Sequence, residues 1–288
     1  MVSDRTRSVI LPLGSLVALL VAGVPCATAS ELVRFESARY QQTALQSRLA
    51  RERGEAPQAA ELIQGHLTKP AGDGPYAAVV ILHGCTGLPD DVKTGAAKGF
   101  WSEQLESAGY VVLMVDSFTS RNVNDACTAS GPSRVADAYG ALAFLTRQPF
   151  VDPRRVALLG FASGGAAALS VVEKRDAELF EGENERSFKV AVAVAPFCET
   201  DGNVLAPTLI VVGELDTRPV TGCRRLMTRR TGAGSAMTLI VYPGVHHDFD
   251  AAHLPQGRRG DYWIQYDAAA TGRAVQDIRD FLARHLIN

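Results

Sequence analysis

Residues 156–169 read Val156-Ala157-Leu158-Leu159-Gly160-Phe161-Ala162-Ser163-Gly164-Gly165-Ala166-Ala167-Ala168-Leu169. Four apolar residues form a buried strand, glycines flank a tight bend, and a run of small residues follows that suits a helix lying close against a sheet. This is the outline of a nucleophile elbow, written G-x-nucleophile-x-G. The glycines leave room for a sharp strand-to-helix turn that lifts the central side chain into a cleft, beside the positive end of the helix. The centre of the frame is Ala162, and alanine has no nucleophilic atom.

The same texture recurs on both sides of the elbow. Residues 77–82 (AAVVIL) are continuously apolar, as are 110–115, 190–195, 208–212 and, as a sixth run, 237–242. Continuous apolar runs of this length read as strands covered on both faces, hence a parallel sheet flanked by helices. Helical segments are predicted at 100–108, 133–147, 164–174, 220–230 and 271–285. Strand and helix alternate, giving a doubly wound, mostly parallel α/β sheet with helices on both faces. Ahead of it, 32–35 alternates like an edge strand, 43–53 reads as a short surface helix stopped by Gly54, and 61–68 as a hairpin partner strand. The segment PFVDPRR (149–155) breaks a helix and turns the chain into the elbow strand. The charged run 182–186 reads as a solvated loop.

Composition supports one domain over residues 30–288. The chain has 288 residues, 47% hydrophobic and 21% charged, long enough for one large α/β core. The first 29 residues differ: Arg5 and Arg7 precede an apolar run from Val9 to Pro25, and Ala27-Thr28-Ala29 has the small-x-small pattern of a signal-peptidase site. Residues 1–29 are therefore expected to be a signal peptide and the product to be exported, periplasmic or secreted. The apolar run is broken by Pro12 and Gly14 and is short for a retained anchor, so no stable membrane insertion is expected after cleavage. Pro25 before Cys26 argues against lipoprotein attachment. Removal of 1–29 takes Arg5, Arg7 and Asp4, leaving 27 basic against 30 acidic side chains and a net charge of about −3. That balance excludes a nucleic-acid partner of the usual basic kind. Four cysteines remain, Cys85, Cys127, Cys198 and Cys223, an even number for an oxidising compartment. Three pairings are open, as are four buried thiols. The sequence-local pairing would close loops worth about 3 to 4 kcal/mol each.

In open parallel sheets, ligands bind beyond the carboxyl ends of the strands. Polar residues follow the strand runs there: His83-Gly84-Cys85-Thr86-Gly87, Asp116-Ser117-Phe118, the elbow, Pro196-Phe197-Cys198, Gly213-Glu214-Leu215-Asp216, and Pro243-Gly244-Val245-His246-His247-Asp248-Phe249. Asp216, 54 residues past Ala162, is the candidate for orienting an imidazole; a helix cap is its ordinary alternative, and Glu214 is the reserve. His247, 31 residues further on, is the candidate general base, with His246 adjacent. The histidines with Asp248 and Asp250 lack a zinc spacing, so no metal is expected. The backbone N–H groups of Cys85 and Ser163 are the candidate oxyanion donors, and being backbone they are indifferent to the alanine at 162. Residues 118–132 and 253–266 shape the expected pocket, with Arg121, Trp263 and Tyr266 as candidate lining residues and ordinary surface or core packing as their alternative.

The segments LHGCTG, DSFTSRNVNDACTA, ADAYGALAFLTRQPFVDPRRVALLGFASGG, GELD and YPGVHHDFD, in this order over residues 75–286, resemble the dienelactone hydrolase family of α/β-hydrolases, in its exported, cysteine-bearing bacterial branch. The resemblance implies the α/β-hydrolase fold and hydrolysis of lactones or other small carboxylic esters through an acyl-enzyme, with no cofactor. It implies a triad at positions 162, 216 and 247, the last framed by Phe249-Asp250, and the pairs Cys85 with Cys127 and Cys198 with Cys223. Two of the three triad positions match and the nucleophile does not. Three readings of Ala162 stand together: a chain altered at its nucleophile, a homologue that binds an ester, lactone or acid without turnover, or a hydrolase using Ser163. The last places Phe161 where the turn wants glycine. Loss of a triad serine lowers kcat on the order of 10⁶ in a well-studied protease, while binding and the oxyanion hole leave about 10³ over water. With Ala162 alone the chain is expected to look inert in a routine esterase assay.

Overall fold

The computed structural model describes Met1 and residues 30–40, 44–54, 61–127, 133–180 and 187–287. The expected signal peptide, apart from Met1, and the charged run 182–186 lie outside the described residues. The strands are β1 (Glu31–Glu36), β2 (Leu62–Thr68), β3 (Tyr76–Leu82), β4 (Val111–Asp116), β5 (Val151–Phe161), β6 (Val190–Val194), β7 (Thr208–Gly213), β8 (Met237–Tyr242), β9 (Gly257–Arg259) and β10 (Tyr262–Ile264). The helices are α1 (Ala44–Glu52), α2 (Asp90–Lys93), α3 (Phe100–Ser107), α4 (Arg134–Leu145), α5 (Ser163–Val172), α6 (Lys174–Ala177), α7 (Thr217–Arg229) and α8 (Ala268–Leu286).

Eight strands form one sheet in the order β1-β2-β4-β3-β5-β6-β7-β8. Strands β3 to β8 run parallel, while β2 pairs antiparallel with both β1 and β4. The architecture is the expected doubly wound α/β sheet. Its strands are apolar throughout because alternate side chains enter different cores. Val80, Leu82, Leu113, Leu158 and Ile210 pack with residues of α4, α5 and α7. Val79, Ile81, Val112, Leu159 and Val211 pack on the other face with Trp101 and Leu105 of α3 and Ala270, Ala274, Ile278 and Leu282 of α8. The four-residue spacing on α8 keeps one stripe inward, and Asp267 caps its start by accepting from the Ala270 N–H at 2.9 Å. Each fully buried Leu, Ile or Val contributes about 1.5 to 3 kcal/mol.

Two of the expected elements differ from their sequence reading. Strand β5 starts at Val151, so the segment read as a helix-breaking turn is mostly strand. The ladder shifts register between Tyr76 and Ala78 opposite this stretch, and Asp152 accepts from the Arg154 N–H at 3.0 Å and from Arg155 Nε at 2.9 Å. Turn chemistry is thereby accommodated inside the strand. Helix α7 starts at Thr217, ahead of the predicted Val220, which leaves Asp216 at the N-cap position.

The cysteines form two disulfides, Cys85–Cys127 and Cys198–Cys223, in the sequence-local pairing. Their loops of 42 and 25 residues are worth about 4 and 3.5 kcal/mol in the chain-entropy model. The first ties the loop after β3 to the segment after β4; the second ties the loop after β6 to α7. Both therefore brace the carboxyl end of the sheet.

Candidate active site

The elbow forms at the junction of β5 and α5. Ala162 has φ 48° and ψ −113°, a sparsely populated conformation for a residue with a Cβ, which costs on the order of 1 to 3 kcal/mol. Its N–H donates to Val194 O at 2.8 Å and its carbonyl accepts from the Ala166 N–H at 3.0 Å. The flanking glycines permit the approach: a Cβ on Gly160 would run into the Gly164 carbonyl, and one on Gly164 into the carbonyls of Leu82 and His83. The turn thus has the backbone geometry expected of a nucleophile elbow, with a methyl group at its centre.

Against this corner lies the loop after β3, close enough that a Cβ on Gly84 would sit 3.7 Å from the Ala162 Cβ. His83 is buried and held neutral, its pKa lowered to about 4 by burial and by the nearby Arg134 charge. Its Nδ1–H donates to Gly84 O at 2.7 Å, and its Nε2 accepts from the Ser117 N–H at 3.3 Å. Arg134 joins the two walls: Nη1 donates to His83 O at 2.8 Å and to Ser163 Oγ at 2.7 Å. Its guanidinium lies 4.9 Å from the Phe118 ring centroid, and burial lowers its pKa to about 10. Ser163 therefore turns its hydroxyl toward α4. The Cys85 N–H has no acceptor among the described residues, and the Ser163 N–H lies in the first turn of α5, where helices leave donors free.

On the opposite side, Asp216 makes no cap bond; its Oδ2 lies 2.5 Å from His247 Nδ1, with both residues buried. Burial pulls the imidazole pKa down, but the Asp216 hydrogen bond and the charges of Asp248, Asp216 and Asp250 outweigh it and hold it above 6.5. Burial pushes the Asp216 carboxyl up, with His247 opposing. His247 is fixed by the β9–β10 hairpin: its N–H donates to Trp263 O at 3.2 Å, its carbonyl accepts from the Gln265 N–H at 3.3 Å, and its ring stacks on Tyr262 at 4.5 Å. His247 Nε2 points away from Asp216, with Asp248 Oδ1 at 3.5 Å. His246 stands beside Trp263, 6.3 Å between centroids, and Glu214 accepts from the Gly244 N–H at 3.1 Å. Neither competes for the Asp216 contact.

Ala162, Ser163, Cys85 and His247 line one cleft of about 400 Å³, with Trp101, Phe161 and Phe197 among its apolar walls. Asp250 lies in it too, accepting from Trp101 Nε1 at 2.7 Å, and enclosure pushes its carboxyl up to about 6. Arg121 does not line the cleft: it pairs with Asp137 at 2.8 Å and with Glu61 at 2.6 Å, tying the approach to β2 to α4. The hairpin contributes Tyr262 and Ile264 to the cleft while Trp263 between them faces out, because alternate strand residues point opposite ways; Tyr266, past the end of β10, is exposed as well. Sequence reasoning missed Arg134, Asp250 and the β9–β10 hairpin. The hairpin had a signal, Gly260-Asp261 between Arg258-Arg259 and Tyr262-Trp263, a two-residue turn of the Gly-Asp kind. Among the described residues, no group of three or more His, Cys, Asp or Glu is arranged to hold a metal ion.

A doubly wound sheet carrying an elbow, with an imidazole–carboxylate pair on the same cleft, is the α/β-hydrolase fold. The chain belongs to the dienelactone hydrolase family, whose model matches residues 63–286. It is similar to a putative dienelactone hydrolase from Klebsiella pneumoniae, with TM-score 0.60, 16% identity, 88% of this chain and 99% of that one covered. It is also similar to a dienelactone hydrolase-like promiscuous phosphotriesterase from metagenomic libraries, with TM-score 0.61, 19% identity and coverage of 90% and 99%. Among curated proteins it is 27% identical to Cutinase 1 of Thermobifida cellulosilytica over 161 residues, 53% of each chain. The chain spans about half the length of the curated relatives it matches.

Proposed function

We propose that the cleft binds a small carboxylic ester or lactone and that its machinery is that of a nucleophile–His–Asp hydrolase lacking only the attacking atom at position 162. The observation that carries this is the pairing of an intact His247–Asp216 contact with a strained elbow at Ala162 on one cleft. With a hydroxyl or thiol at 162, that group attacks the acyl carbon while His247 Nε2 takes its proton. The Cys85 and Ser163 amides hold the oxyanion, and His247 returns the proton to the leaving alkoxide. Water then hydrolyses the acyl-enzyme by the same route. As it stands, the chain binds such a ligand without turning it over.

The rival nucleophile, Ser163, is disfavoured because its hydroxyl accepts from Arg134. Export is proposed alongside, supported by two disulfides that need an oxidising compartment. Among the described residues no helix is long and apolar enough to cross a membrane.

Hydrolysis of p-nitrophenyl butyrate by the parent, Ala162→Ser and Ala162→Cys tests the reading. The parent should remain at background and at least one variant should gain 10³-fold or more, roughly the lower half of what a triad serine supplies. Parent turnover abolished by Ser163→Ala would instead identify Ser163 as nucleophile. Two inert variants of undiminished stability would overturn the hydrolase reading.

A further inference from the structure

Phe197 lines the cleft and also a second, open groove of about 980 Å³ along α7. A ladder of flat groups connects the two. The His247 ring stacks on Tyr262 at 4.5 Å, Tyr262 lies 5.9 Å from Phe197, and the Arg218 guanidinium lies 4.8 Å from the Phe197 centroid. Arg218, Arg225 and Arg229 all line the groove, at helical spacings that place them along one side of α7.

These cations are poorly neutralised. The carboxylate nearest Arg218 is Asp261, at 4.0 Å with both side chains mostly exposed, a geometry worth little. The side chains of Arg225 and Arg229 form no ion pair or hydrogen bond among the described residues. The groove's own acids are Glu199 and Asp201. Asp201 Oδ1 is engaged by the Asn203 N–H at 2.8 Å. Three guanidiniums thus share the groove with two carboxylates, one already in use, and Thr217 and Thr221 line it as well.

We propose that the ligand site continues over Phe197 into this groove. Its ligand is then an ester whose apolar chain runs along the Tyr262–Phe197 wall and ends in a carboxylate held by Arg218 and Arg225. The apolar rungs suit methylene chain, and the paired nitrogens of a guanidinium suit a carboxylate. The inference rests on the ester carbonyl being seated at the elbow, as proposed above. It adds a length requirement: a short acid tail cannot reach past Phe197.

Calorimetry on the unaltered chain tests this without turnover, by comparing monomethyl with dimethyl sebacate and monomethyl with dimethyl succinate. The sebacate monoester should bind about tenfold more tightly than its diester, as expected for charge-assisted contacts at an exposed site. The succinate pair should show no such preference, and Arg218→Gln combined with Arg225→Gln should abolish the sebacate preference. Equal affinity for the two sebacates, or a preference that survives the double substitution, overturns the inference while leaving the ester reading intact. If neither sebacate binds yet Ala162→Ser hydrolyses p-nitrophenyl butyrate, the inference alone fails. If neither binds and the serine variant is inert, both fail.

Discussion

The two corners of the cleft are built from different materials. At the elbow, the features that matter belong to the main chain: a positive φ at Ala162, glycines where a Cβ would collide, and the N–H groups of Cys85 and Ser163. At the other corner they belong to side chains, since the Asp216–His247 contact, the Tyr262 stack and the charges of Asp248 and Asp250 all lie beyond Cβ. A backbone site tolerates substitution, which is how the elbow keeps its shape around alanine. A side-chain site does not. On the proposed reading the first corner lacks one atom and a single substitution should supply it, whereas the second has to be present whole.

The largest expected effect breaks the second corner. In the Ala162→Ser chain, Asp216→Asn and His247→Ala should each lower kcat for p-nitrophenyl butyrate by about 10⁴ or more, with KM changed far less. Asparagine preserves the size of the aspartate but no longer fixes the imidazole tautomer. The pH profile supplies a second check. Burial depresses the imidazole pKa but the surrounding carboxylates raise it above 6.5, and catalysis needs the neutral base. Activity should therefore rise with pH through a midpoint above 6.5. A midpoint below that value would mean the carboxylates do not control the base.

This division also explains what was legible beforehand. The parallel strands were readable because each is apolar on both faces, and the elbow because its glycines are required by the turn itself. Asp216 and His247 stood out as polar residues directly after strand ends. Asp216 sits at the start of α7, the position of the cap its residue type suggested, yet it bonds to His247, a preference set by a residue 31 positions away. Arg134 was hidden by its place at the head of an otherwise ordinary helix. Its task, joining His83 O to Ser163 Oγ, exists only once three separate segments have assembled. For Arg121 the packing alternative holds, and the choice was hidden for the same reason, its partners Glu61 and Asp137 lying on β2's approach and on α4.

A smaller effect concerns stability at the side-chain corner. Asp250 carries a pKa raised from 3.8 to about 6 by enclosure, with the Trp101 hydrogen bond opposing. The folded state then binds this proton more tightly than the unfolded chain does. Its contribution to stability must fall as pH rises from 3.8 to about 6 and stay low above that. Asp250→Asn removes the titration and retains a carbonyl for Trp101 Nε1. Measured by chemical denaturation, the variant should gain on the parent across this window and lead by about 3 kcal/mol at neutral pH. A gap independent of pH would show that Asp250 does not titrate in the folded protein.

The smallest expected effect belongs to the elbow, at the residue where the two readings of that corner differ most. Ser163 contributes its N–H to the proposed oxyanion hole, while its hydroxyl accepts from Arg134 Nη1 at 2.7 Å. Ser163→Ala in the Ala162→Ser chain leaves the N–H in place and removes only the acceptor, costing about 1 kcal/mol of stability for one hydrogen bond to a charged donor that keeps His83 O as its other partner. The rate should change by less than about fivefold, because a backbone donor does not depend on the side chain it carries. A loss comparable with that of His247→Ala would place the attacking oxygen on Ser163 and make the strained turn at Ala162 a by-product of presenting its neighbour. Retained activity would instead assign the turn's chemistry to position 162 and leave Ser163 with its amide and its bond to Arg134.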